Sequence, residues 1–244
     1  MILRNTKKLS ITILTLFIGL NDVSAQANDE KMALSPKQKG IVGISALSAR
    51  GNLERLSLEM VKGLDAGLTI NEIKEVLVQL AAYTGFPRSL NAINTLKKVA
   101  DERKDKGIVD PIGDEPLKLD SSLTRYALGK QNLGKLSGRA ETGKAGYALY
   151  VPVIEVFLKE HLFADIFSRG VLSYQDRELV TVSALTALGG VEGQLQSHLG
   201  LSIYNGFQPT QLSEMFTIIR KLIGKAEAKA GEAVLKKVVA GGRK

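Results

Sequence analysis

Apolar residues recur along this chain at helical spacing almost throughout. Ile41, Ile44, Leu47 and Ala49 share one face of a first helix. Leu53, Leu56, Met60 and Leu64 mark a second, which Gly67 ends in the manner of a C-cap. Thr69-Ile70-Asn71-Glu72 is a capping box opening a third helix, with Ile73, Val76, Leu77 and Leu80 on its apolar face and its end near Gly85. Pro87 suits the first turn of a fourth, where a missing N–H costs nothing, and that helix runs through Leu90, Ile93, Leu96 and Val99 into the charged stretch at 101–106. Helical spacing returns at Val153–Phe167, breaks at Gly170, and resumes from Leu172. Pro209 opens a helix to about Ile223, and the last covers about Ala226–Val239. No stretch alternates with period two for more than a few residues, so the expected fold class is all-α.

The pattern is written twice. Leu34-Ser35 aligns with Leu172-Ser173, Val42 with Val180, Ser45-Ala46-Leu47 with Ser183-Ala184-Leu185, and Gly67 with Gly206. The offset is 138 residues at the front and 139 at the back, which places one inserted residue inside the second copy. A period this long exceeds the roughly 20–50 residues of a solenoid repeat and implies a duplicated domain. The expected organisation is a signal peptide over 1–27, a first unit over 33–104, a linker or irregular segment over 105–146, and a second unit over 147–240. The linker is read from Pro111, Pro116, Gly107 and Gly113, followed by a Gly- and Lys-rich stretch from Ser121 to Gly146 that specifies little structure.

The first 27 residues have the form of a secretory signal. Arg4, Lys7 and Lys8 precede the apolar run Leu9–Leu20, and Val23-Ser24-Ala25-Gln26-Ala27 offers small-residue cleavage points. That run is shorter than the ~20 residues of a membrane span, which favours cleavage over the alternative of an uncleaved tether. The expected location is exported: the periplasm in a Gram-negative source, or secreted. Losing this segment takes the net charge from +8 to +6. The remaining surplus is scattered in small clusters, and aromatic residues are only 5% and not interleaved with it. That argues against a nucleic-acid partner, and no later segment calls for a membrane. With no cysteine, the chain has no disulfide, no thiolate metal site and no thiol chemistry. No metal-ligand spacing accompanies the two histidines, His161 and His198.

Two stretches carry a family resemblance. Arg177–Gly189 with Gln194-Leu195-Gln196-Ser197-His198 and Asn205-Gly206 is one; Gly67–Ile73 with Tyr83-Thr84-Gly85-Phe86-Pro87-Arg88-Ser89-Leu90-Asn91-Ala92 is the other. Together they resemble the carboxymuconolactone decarboxylase family. The resemblance implies two fused AhpD-like helical units and homo-oligomeric assembly, for example as a trimer. Its alkylhydroperoxidase-like branch uses Cys-x-x-Cys-x-x-x-His. Here the cysteine positions would be Val191 and Gln194 ahead of His198, or Asn52 and Arg55 ahead of Glu59, so this chain is not a thiol peroxidase.

The decarboxylase branch implied by the resemblance needs neither cysteine nor cofactor. It needs a cation for a carboxylate, donors for a developing oxyanion, and a proton donor tuned near ambient pH. His198 and Glu178 are therefore the expected catalytic pair, and Arg177, Arg88 and Tyr83 the expected substrate-binding residues. Neither copy holds the whole set. The second lacks the Tyr83–Ala92 motif, having Leu222-Ile223-Gly224-Lys225-Ala226 there. The first has Gly40 in place of Glu178 and Glu59 in place of His198. One composite pocket between the copies is expected, acting on a small carboxylate or lactone by decarboxylation, lyase or isomerase chemistry. The alternative is a non-catalytic helical module that binds a small acid or a protein.

Overall fold

The computed structural model describes residues 33–141, 143 and 146–241, and every regular element among them is helical. The signal expected over 1–27 lies outside the described residues. The front unit has four helices: α1 (Pro36–Arg50), α2 (Leu53–Asp65), α3 (Ile70–Thr84) and α4 (Phe86–Asp105). The rear unit repeats them as α8 (Tyr174–Leu188), α9 (Glu192–Tyr204), α10 (Pro209–Leu222) and α11 (Lys225–Gly241). Between them lie α5 (Arg125–Ser137), α6 (Gly146–Tyr150), α7 (Pro152–Phe157), a π-helix over Leu158–Ile166 and a 3₁₀ turn, Phe167–Arg169. Residues 125–137, expected within an irregular segment, thus form a helix of their own, capped by the Thr124 hydroxyl on the Ala127 amide.

The duplication extends to the helix ends. Ser35 and Ser173 cap α1 and α8, each hydroxyl accepting a backbone N–H three residues on. Thr69 and Glu72 form the capping box of α3, and Gln208 with Gln211 forms its counterpart on α10. The extra residue of the second copy sits in the α8–α9 turn. There Gly189 and Gly190 both take positive φ, at 68° and 71°, where the front unit turns with Gly51 alone before its cap Asn52.

α1 and α8 lie against each other at the centre, flanked by α2, α3, α9, α10 and α11. Every residue from Gly40 to Ala49 and from Arg177 to Ala187 is buried. A helix covered on all sides cannot show a one-sided apolar stripe, and polar residues on it must find partners inside.

The two units are related by an approximate twofold axis, which the side chains reveal. Gln38 and its own counterpart Asp176 approach at 3.5 Å. Glu75 of α3 pairs with Arg177 of α8 at 3.1 Å, while their counterparts Glu214 of α10 and Lys39 of α1 pair at 2.8 Å. Each unit therefore grips the other through the same reciprocal contact. The first of these pairs is fully buried and the second half-exposed.

The intervening segment forms a second, smaller cluster. Leu136, Leu162, Phe163, Ile166 and Phe167 pack together and against Tyr83, Val78 and Leu201. Asn132 of α5 donates to the Phe163 carbonyl of the π-helix at 2.8 Å. Arg169 at the end of this segment reaches Glu75 at 2.8 Å. So the segment ahead of α8, whose residues 147–169 were expected as part of the second unit, braces the contact between units through Arg169.

Candidate functional site

His198 stands on α9, one helix on from Glu178 in the first turns of α8. The His198 Nδ1 lies 2.9 Å from Glu178 Oε2. A carboxylate oxygen only accepts, so Nδ1 carries the proton and donates, which leaves Nε2 as the basic nitrogen of the neutral ring. Nε2 has no hydrogen-bond partner among the described residues. Glu178 is wholly buried, and the His198 side chain keeps 14% of its surface exposed. The arrangement can take a proton from, or give one to, a group arriving at the open edge of the ring, with Glu178 fixing tautomer and orientation.

The third member comes from the other unit. Tyr83, at the C-terminal end of α3, sets its ring edge-on to His198, with centroids 5.7 Å apart and planes at 79°. Burial, and then the nearby Glu178 charge, push its phenol well above the ordinary value of 10; the Thr181 hydroxyl and Arg177 offset this only partly. The phenol is therefore a neutral donor at any physiological pH. The Tyr83 hydroxyl and Glu178 Oε1 are both buried without a hydrogen-bond partner among the described residues. Both atoms stand beside the imidazole, with the Thr181 hydroxyl close to the phenol.

The twofold-related position in the front unit lacks this equipment. Glu59 stands for His198, Gly43 for Thr181, Gly40 for Glu178 and Leu222 for Tyr83. A Cβ on Gly43 would meet Glu59 Oε2 at 2.7 Å and Leu222 Cδ1 at 3.3 Å, so the glutamate folds into the space that the glycine leaves. The same exchange of corners operates on both sides, but only one side presents an imidazole.

Arg177 does not join His198. It is wholly buried, with Nη2 3.1 Å from Glu75 Oε2, Nη1 3.1 Å from Gln79 Oε1, and its guanidinium over the Phe167 ring at 5.5 Å. Burial pulls its pKa below the ordinary value, and the hydrogen bond and charge of Glu75 hold it up. An arginine so engaged seats no substrate carboxylate; its place is the junction between the units. Arg88, on the first turn of α4, is partly exposed and has no ionic partner among the described residues. Of the two expected arginines it alone is free to bind an anion.

Sequence reasoning missed Glu75 and Gln79, and named Thr181 only as part of the Arg177–Gly189 stretch. Gln79 Nε2 donates to Thr181 Oγ1 at 3.0 Å and to the Arg177 carbonyl at 2.7 Å. Together these residues fix α3 on α8 and so hold Tyr83 over His198. Among the described residues no group of three or more His, Asp or Glu could hold a metal ion, and no helix is long and apolar enough to cross a membrane.

The carboxymuconolactone decarboxylase family profile matches this chain twice, over residues 17–98 and 155–237. This chain belongs to that family. Its two matched regions are the tandem helical units, and the second ends within α11. The first match begins at residue 17, ahead of the cleavage point expected near residue 27. Comparison with proteins of curated function gave no match.

Proposed function

We propose that this carboxymuconolactone decarboxylase family member performs cofactor-independent acid/base chemistry at a single composite site per chain. The step is a decarboxylation or a related lyase or isomerase reaction on a small carboxylated or lactone substrate. The observation that carries the reading is the 2.9 Å contact between His198 Nδ1 and the buried Glu178, with Tyr83 of the other unit against the same ring. His198 Nε2 exchanges the proton, Glu178 orients the imidazole, and Arg88 seats the carboxylate. A neutral, unpaired Tyr83 hydroxyl is suited to donate to an oxyanion as it develops. The reading includes export of the mature chain, directed by residues 1–27.

The test is a screen of unsaturated lactones and of β-keto and unsaturated acids against wild type and His198→Ala. Turnover in the variant falls by about 10²–10⁴-fold, while its helical circular dichroism and melting temperature stay close to wild type. Equal turnover in both proteins removes His198 from the chemistry. The slight exposure of His198 favours a second reading, a non-catalytic module that holds a small acid. Binding without turnover across the screen would select it.

A further inference from the structure

α4 carries an apolar stripe on the side turned away from the core. Phe86, Leu90 and Ile93, spaced to share one helix face, are 62%, 55% and 37% exposed. The duplication supplies an internal control. At the 139-residue offset the same three positions of α11 hold Lys225, Lys229 and Glu232. The inward positions still match: Ser89 and Leu96 are buried in α4, and their counterparts Ala228 and Leu235 are buried in α11. The fold therefore accepts charge on this face, and the rear unit has it there. The apolar stripe of the front unit is not a demand of its own core.

The stripe continues onto the segment between the units. Phe86 meets His161 with ring centroids 6.5 Å apart, and His161 follows Phe157 by about one turn where α7 runs into the π-helix. From Gly146 to Phe157 the only charged residue, Glu155, is buried against Lys159. Leu149, Tyr150, Val153 and Phe157 are exposed, Tyr150 by 90%. With full side-chain areas of about 150–250 Å², the exposed apolar parts of stripe and segment amount to roughly 1,000 Å². The largest apolar patch on a typical monomer is about 300–600 Å². A stable protein interface takes about 800 Å² from each partner. The charges that border this face are balanced pairs: Lys97 with Asp101 beyond Ile93, and Arg125 with Asp165 beside His161. Such a rim suits a protein, whereas an anionic lipid surface is met by an excess of basic residues.

We propose that the face formed by α4 and residues 146–157 is where a second copy of this chain docks. The net positive charge of the chain opposes self-association in general, and this face offers two copies a contact free of charge. The docking stands independently of the chemistry at His198.

The test is sedimentation equilibrium of the purified protein over roughly 1–100 µM. Wild type is expected at a whole multiple, two or more, of the single-chain mass. Combining Phe86→Lys with Leu90→Lys gives α4 the residues that α11 already carries. That variant should keep wild-type helical circular dichroism while its dissociation constant rises by roughly 30-fold or more. Tyr150→Lys, on a separate element, is expected to raise it too. The chain has no tryptophan, so Tyr150→Trp places a single reporter on the second part of the face. Its emission should move to the blue over the concentrations at which mass rises, and should not move in the doubly substituted background. A wild type of single-chain mass throughout overturns the proposal, and a blue shift caused by vesicles of anionic phospholipid would then name a lipid surface as the occupant. An oligomer that survives these substitutions, with tryptophan emission indifferent to concentration, places the interface elsewhere and also overturns it.

Discussion

Replacing Glu75 by glutamine should destabilise the protein far more than the same change at its twofold counterpart, Glu214. Among the described residues Glu75 is the only carboxylate paired with Arg177, both side chains are buried, and Glu75 also holds Arg169. Without it the guanidinium keeps Gln79 and an aromatic face but no countercharge. Breaking a buried pair in this way costs about 3–5 kcal/mol. Glu214 pairs instead with a half-exposed Lys39 at 2.8 Å and accepts the Leu34 amide at 2.7 Å. Solvent screens that pair, so its loss should cost less than about 2 kcal/mol. In urea, at ~3 kcal/mol per molar for a chain of this size, Glu75→Gln lowers the midpoint by about 1–1.7 M. Glu214→Gln lowers it by under about 0.7 M on the same slope. The absence of cysteine allows reversible unfolding to be measured without reductant. Adding Arg177→Met to Glu75→Gln removes the stranded charge and should restore much of the loss. Equal midpoints for Glu75→Gln and Glu214→Gln would refute the reasoning, because they would show that burial of the Arg177 pair contributes nothing.

Three further outcomes follow from particular contacts. Tyr83→Phe deletes a buried hydroxyl that has no partner among the described residues, so thermal stability should hold or rise by about 1 kcal/mol, while any turnover found in the screen should fall. A drop in melting temperature would place an ordered partner on that hydroxyl. Glu214 is partly buried, which alone would raise its pKa, but Lys39 and the Leu34 amide hold it below the ordinary 4.5. The unfolded chain thus takes up this proton first, so the contribution is whole above pH 4.5 and fades as pH falls through the lower folded value. In acid melts, Glu214→Gln should flatten that part of the wild-type decline, and unchanged pH profiles would count against the contact. Gly129→Ala puts a Cβ 1.9 Å from the Lys159 carbonyl oxygen, so α5 must separate from the π-helix, at a cost of about 3 kcal/mol or more. A normal melt for this variant would show that the two helices are further apart.

The fold was largely legible because its signals are local. The capping box at Thr69 and the stops at Gly67, Gly85 and Gly206 place helix ends within a residue or two. The repeat then supplies the architecture. The pairing of Glu178 with His198 was also within reach, since both belong to one motif on adjacent helices. Arg177 was misread for a structural reason. In an ordinary amphipathic helix a charged Arg-Glu step marks the wet face, but α8 has no wet face from Arg177 to Ala187. Its partner Glu75 lies 102 residues away, beyond any periodic signal. The π-helix was hidden as well, and Asn132, which donates to its Phe163 carbonyl, comes from a separate helix.

The exchange of helix corners across the axis has a consequence for how such a site can change over time. In a pair of identical separate chains, any substitution appears twice, so neither half can be relieved of duty without disabling the other. Joining the copies covalently lifts that constraint. Gly40, Glu59 and Leu222 could drift while Glu178, His198 and Tyr83 stayed put, because these two sets no longer share a codon. The front unit still contributes to the rear one, since its α3 carries the tyrosine that packs against His198.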